Sequence, residues 1–98
     1  MNKISISMYG NVISDEATGN KILTQIQNIL ESEGVVNVDF TDVITMATFC
    51  ARQIFGKLYV DMGRDIFKKK VLLYNANDTV KAIVSDAIMF SVEQKKLG

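Results

Sequence analysis

Residues 35–63, VVNVDFTDVITMATFCARQIFGKLYVDMG, decide the fold. Val36, Val38 and Phe40 alternate with Val35, Asn37 and Asp39, the two-residue period of a strand that buries one face. From Ala51 the period changes. Ala51, Ile54, Phe55, Leu58, Tyr59 and Met62 recur at three- and four-residue steps, which sets them on one stripe of a helix closed by Gly63. Between the two lies Thr41-Asp42-Val43-Ile44-Thr45-Met46-Ala47-Thr48, a polar loop that brings hydroxyls to the start of the helix. An anion held there would meet unpaired backbone N–H groups and the positive end of the helix dipole.

The same two periods continue on either side. Ile4, Ile6 and Met8 alternate with Ser5, Ser7 and Tyr9, which predicts a first strand. Tyr9-Gly10-Asn11 is turn-like, and Val12-Ile13 either extends that strand or adds a short second one. Ser14 is the expected N-cap of a helix, with Asp15 and Glu16 in its first turn, where negative charge suits the dipole. Ile22, Leu23, Ile26, Ile29 and Leu30 supply its buried stripe, and Gly34 ends it. Gly19, inside this pattern, either permits close packing or weakens the helix.

On the C-terminal side, Lys68-Lys69-Lys70 reads as a solvated turn. Val71-Leu72-Leu73-Tyr74 is apolar on both faces, as expected of a central or well-covered strand. Asn75-Ala76-Asn77-Asp78 offers turn and cap chemistry to a last helix containing Val80, Ile83, Val84, Ala87, Ile88 and Phe90. Strands alternating with three helices predict an α/β domain with a mixed β-sheet and right-handed crossovers between its parallel strands. Serines on one side of the first strand predict that the helices pack mainly on one face.

The 98 residues form one domain, 1–98, with a single core. Eleven basic and eleven acidic side chains cancel, so the broad positive field used in nucleic-acid binding is missing. No apolar run approaches the roughly 20 residues of a membrane-spanning helix. One cysteine forms no intramolecular disulfide, and no basic stretch precedes an apolar core at the N-terminus, so a reducing cytoplasm is the expected compartment.

Catalytic chemistry finds little to work with. There is no histidine, which removes the commonest general base and metal ligand. Cys50, close to a helix start, reads as a small core residue rather than a nucleophile. Asp39 and Asp42 would leave most of a magnesium shell to water, and no phosphate-binding loop is present. The expectation is a protein that is not an enzyme and needs no metal or cofactor.

The central segment resembles the STAS domains (sulfate transporter and anti-sigma factor antagonist), and most closely the STAS-like domains of unassigned function. Val38-Asp39-Phe40 matches the family's strand end, and Val43 and Met46 match its apolar loop positions. Ala47-Thr48-Phe49-Cys50 occupies the place of Asp-Ser-Ser-Gly, with Ala47 standing for the aspartate and Cys50 for the glycine. The resemblance implies a free-standing regulatory module whose phosphoacceptor falls on Thr48. It implies a docking loop that includes Asp39, Thr41, Asp42, Thr45, Ala47 and Phe49. The implied partner is an ATP-binding anti-sigma factor that is also a serine kinase.

Two alternatives stand beside this reading. From its chemistry alone, Thr48 is an ordinary N-cap whose hydroxyl accepts a first-turn N–H. A chain of the second class would be a structural or oligomer-forming protein, a homodimer through its last helix with Met89 and Phe90 at the interface.

Overall fold

Val36 and Val38 are fully buried while Asn37 and Asp39, between them, are only half-buried. That alternation fixes which side of the sheet carries the core. In the computed structural model, which describes residues 2–97, the chain runs β1 (Lys3–Ser5), a 3-10 turn (Ile6–Tyr9), β2 (Val12–Ile13), α1 (Glu16–Glu33), β3 (Val36–Asp39) and β4 (Thr45–Met46). It continues with α2 (Thr48–Ala51), a π-helical segment (Arg52–Gly56), α3 (Lys57–Met62), α4 (Arg64–Lys70), β5 (Val71–Tyr74) and α5 (Asp78–Leu97).

The fold is α/β, as expected. Each strand pairing is parallel, and the sheet takes the form of two units, one ordered β1-β3-β5 and the other pairing β2 with β4. Strands added in chain order by right-handed crossovers place every connecting helix on the same side. Ile4, Val36, Val38 and Val71 lie on that side and are buried, whereas Lys3 and Tyr74, on the other, are exposed. Phe40 and Phe55 meet at the centre of the core with ring centroids 5.8 Å apart.

Local chemistry moves several expected boundaries. The first strand stops at Ser5, and the 3-10 turn that follows leaves Met8 82% exposed instead of inward. The N-cap of α1 is Asp15 rather than Ser14: its carboxylate accepts the Thr18 N–H at 3.0 Å and the Thr18 hydroxyl at 2.6 Å. These bonds hold the Asp15 carboxyl below its ordinary pKa, the Thr18 hydroxyl contributing most. At the other end Gly34, at φ 81°, adopts the left-handed cap and donates its N–H to the Leu30 carbonyl.

The second helix keeps its expected buried stripe of Ala51, Ile54, Phe55 and Leu58 but widens into π geometry at its middle. There Gly56 lies against α5, where a Cβ would overlap Ser91 Oγ and come within 3.3 Å of the Ala87 carbonyl. Gly19 has the close-packing role, facing the Gln53 side chain, which donates to the Glu16 carbonyl at 3.0 Å.

Two expectations are corrected on the C-terminal side. Lys68, Lys69 and Lys70 form the last turn of an additional helix, α4, a position where cations oppose the negative end of the dipole. β5 is an edge strand, with Leu73 38% and Tyr74 48% exposed, because among the described residues no strand pairs beyond it. Its apolar character on both faces therefore does not come from burial on both faces.

Candidate functional site

The loop between β3 and α2 is held by side chains from three other parts of the chain. It leaves β3 through a tight turn in which Val43 N–H donates to the Phe40 carbonyl at 3.0 Å and Asp42 takes a left-handed φ of 66°. Aspartate tolerates that conformation better than most residues. The Asn11 side chain donates to the Asp42 carbonyl at 3.1 Å, and the Ile44 N–H donates to the Asn11 carbonyl at 2.8 Å. From the opposite side, the Asn77 amide donates to the carbonyls of Val43 and Ile44 at 3.1 and 3.0 Å. The Asn77 Oδ1 accepts the Val80 N–H at 2.8 Å, so one side chain caps α5 and clamps the loop.

Asp39 organises the base of the loop. Its Oδ1 accepts the Thr41 N–H at 3.0 Å, the Thr41 hydroxyl at 2.7 Å and the Asn75 amide at 3.1 Å, while Oδ2 pairs with Lys3 Nζ at 3.3 Å. The Thr41 hydroxyl, then the Asn75 amide, hold the Asp39 carboxyl far below the usual carboxylate range. Asn75 reaches it by adopting a left-handed φ of 60° just past β5. Asp39 and Thr41 thus bind each other and tie the ends of β1, β3 and β5 together.

Of the other candidate docking residues, Thr45 sits in β4 opposite Val12 of β2, and Asp42 is exposed at the turn. Ala47 is the N-cap of α2, at φ −64° and ψ 142°. Its N–H donates to the Ile13 carbonyl at 2.7 Å, and its carbonyl accepts the N–H groups of Cys50 and Ala51 at 3.0 and 3.1 Å. The expectation that Thr48 is the cap is therefore corrected: Thr48 is the first residue inside the helix. Ala47 has no side-chain oxygen to bond the first-turn amides, so no side chain caps this helix start. Thr48 is exposed, and among the described residues its hydroxyl has no hydrogen-bond partner.

Two large apolar side chains of the same segment are exposed, Ile44 at 61% and Phe49, next to Thr48 in the chain, at 50%. Ile44 is a residue that sequence reasoning did not single out. Its loop position carries no period, and only the pinning of its backbone by Asn11 and Asn77 directs the side chain outward. Cys50, in the same turn as Thr48, is completely buried with Sγ 3.5 Å from the Asp15 carbonyl. Burial, and then the nearby Asp15 charge, push its thiol above the ordinary pKa.

On α5, Met89 is 63% and Phe90 40% exposed. The Arg52 guanidinium lies 3.5 Å from the Phe90 ring centroid and covers one of its faces. Among the described residues there is no group of three or more histidine, cysteine, aspartate or glutamate side chains placed to hold a metal ion. Among them, too, no helix is long and apolar enough to cross a membrane. No family model, curated protein or solved structure matches the chain.

Proposed function

We propose that the chain is a STAS-like, non-enzymatic regulatory module of the cytoplasm that docks on a protein partner through residues 41–48 and the helix that follows. The observation that carries this reading is the exposed Thr48 hydroxyl, unbonded among the described residues, at an uncapped helix start that follows a loop held from both sides, with Ile44 and Phe49 of the same segment also exposed. A preorganised loop loses little entropy on docking, which favours affinity. The exposed apolar pair supplies contact area, and the threonine supplies a point of control.

The partner in this reading is an ATP-binding anti-sigma factor with serine kinase activity, which phosphorylates Thr48 and is thereby released. A phosphate there is accepted by the first-turn amides and the helix dipole, so the fold survives it. It also turns the centre of an apolar docking surface into a dianion, which a partner shaped for the neutral hydroxyl rejects. Nucleic acid and membrane have no part in this function.

Incubating the protein with ATP and an extract of its own cell, then mapping phosphate by mass spectrometry, tests the switch. Phosphate on Thr48 supports it; phosphate only on Thr41 or Thr45, or on no residue of the loop, overturns it. A second reading, self-association through α5, draws on the exposure of Met89. It is the weaker of the two because Phe90, its other anchor, is already stacked on Arg52.

A further inference from the structure

The two edges of the three-stranded sheet are built differently. β1 is three residues long, carries Lys3 and runs straight into a 3-10 turn, all of which discourage another strand from adding to it. β5 is Val-Leu-Leu-Tyr, without charge or proline. Its hydrogen-bonding direction follows from the pairing with β3, where Phe40 N–H donates to the Tyr74 carbonyl at 2.9 Å. Main-chain groups alternate sides along a strand, so Leu72 and Tyr74 bond toward β3. The N–H and C=O of Leu73 then point to the free side, where no strand of the described residues is paired.

A groove of about 510 Å³ runs beside this edge, between β5 and α5. Phe40, Leu73, Val84 and Ile88 make its apolar wall, and Asn75 and Lys81 stand on its rim. Lys81 is the one charged residue in the lining, and among the described residues it makes no ion pair. A free strand edge, an apolar slot for side chains and a lone cation occur together.

We propose that the β5 edge and this groove receive an extended, acidic peptide segment of a partner protein. The segment adds as a further strand and bonds the Leu73 N–H and C=O. Alternate apolar side chains enter the slot, and a carboxylate meets Lys81, the division of labour used when peptides extend a sheet. Charge favours a peptide over a second copy of this chain. Two β5 edges paired with each other would bring Val-Leu-Leu-Tyr against the groove and supply no carboxylate for either Lys81. The surface is separate from residues 41–48 and stands whether or not that loop docks a kinase.

Random heptapeptides displayed on phage, selected against the whole chain, test the assignment. Enriched sequences are synthesised and titrated into isotope-labelled protein. The expected sequences place aspartate or glutamate beside alternating valine, isoleucine or leucine, and the Leu73 amide resonance shifts to saturation. Lys81→Glu, an exposed change that leaves the fold intact, weakens these peptides roughly fivefold or more. Replacing the peptide's acid by lysine recovers binding to that variant. Failure to enrich any sequence, enrichment without acidic preference, or shifts confined to another face overturns the proposal. A Leu73 shift that depends on protein concentration, with no peptide present, assigns the edge to a second copy and overturns it equally.

Discussion

The Asn77 side chain holds Ile44: its amide donates to the Ile44 carbonyl at 3.0 Å and to that of Val43 at 3.1 Å, across more than 30 residues of sequence. The first turn of α5 and the loop at residues 43–44 are therefore one mechanical unit. Asn77→Ala removes the cap and both loop bonds together and is expected to cost about 2–3 kcal/mol in urea unfolding. Asn77→Asp keeps a capping oxygen but faces two carbonyls with a carboxylate. It should lose less stability than alanine, yet speed amide exchange at residues 43–46 as much.

Stability falls in acid through Asp39. Its folded-state pKa is depressed well below the ordinary carboxylate range, first by the Thr41 hydroxyl and then by Asn75. A depressed carboxyl contributes stability that is fully present above the unfolded value and is lost as pH falls through the folded one. Asp15, also depressed, has the same sign. Denaturant midpoints should hold from pH 7 down to about pH 5 and drop below pH 4. In Asp39→Asn the drop should be shallower and the midpoint at pH 7 lower. Equal acid slopes for the two proteins would remove Asp39 as its cause.

Gly56→Ala should destabilise the protein even though alanine is the better helix former. The new methyl overlaps Ser91 Oγ and comes within 3.0 Å of its Cβ and 3.3 Å of the Ala87 carbonyl. Overpacking of this kind costs about 1–3 kcal/mol, against a gain of roughly 1 kcal/mol in propensity. Adding Ser91→Ala should return part of the loss, which a thermal-melt double-mutant cycle measures.

Cys50 should resist thiol reagents in the folded state. It is fully buried, and burial followed by the Asp15 charge raises its pKa, so little thiolate exists at neutral pH. Labelling at pH 7.5 should proceed only as fast as the chain opens and accelerate when urea is added. Fast labelling of the native protein would place the thiol at the surface.

The helices were legible because their apolar residues keep a strict period: Ile22, Leu23, Ile26 and Ile29 in α1 and Ala51, Ile54, Phe55 and Leu58 in the second helix are all buried as the spacing demands. The alternation in β3 was equally plain. What misled was apolar sequence that is not buried. Met8 continues an alternation that the 3-10 turn has already broken, and Leu73 and Tyr74 look like central-strand residues but border an open edge. Caps shifted by one residue, from Ser14 to Asp15 and from Thr48 to Ala47, because neighbouring residues offered similar cap chemistry or extended backbone. Within the candidate site, Thr48 and Phe49 were found by position, but the roles of Asn11 and Asn77 depend on long-range bonds that no local pattern announces.

The docking claim is tested most directly by an affinity capture from the protein's own cell, quantified by mass spectrometry, with wild type, Thr48→Glu and Ile44→Asp as parallel baits. The account predicts that wild type holds an ATP-binding kinase that both variants lose, while all three melt at similar temperatures. Equal retention of that protein by the three baits, or capture by wild type of nothing beyond its own copies, would contradict it.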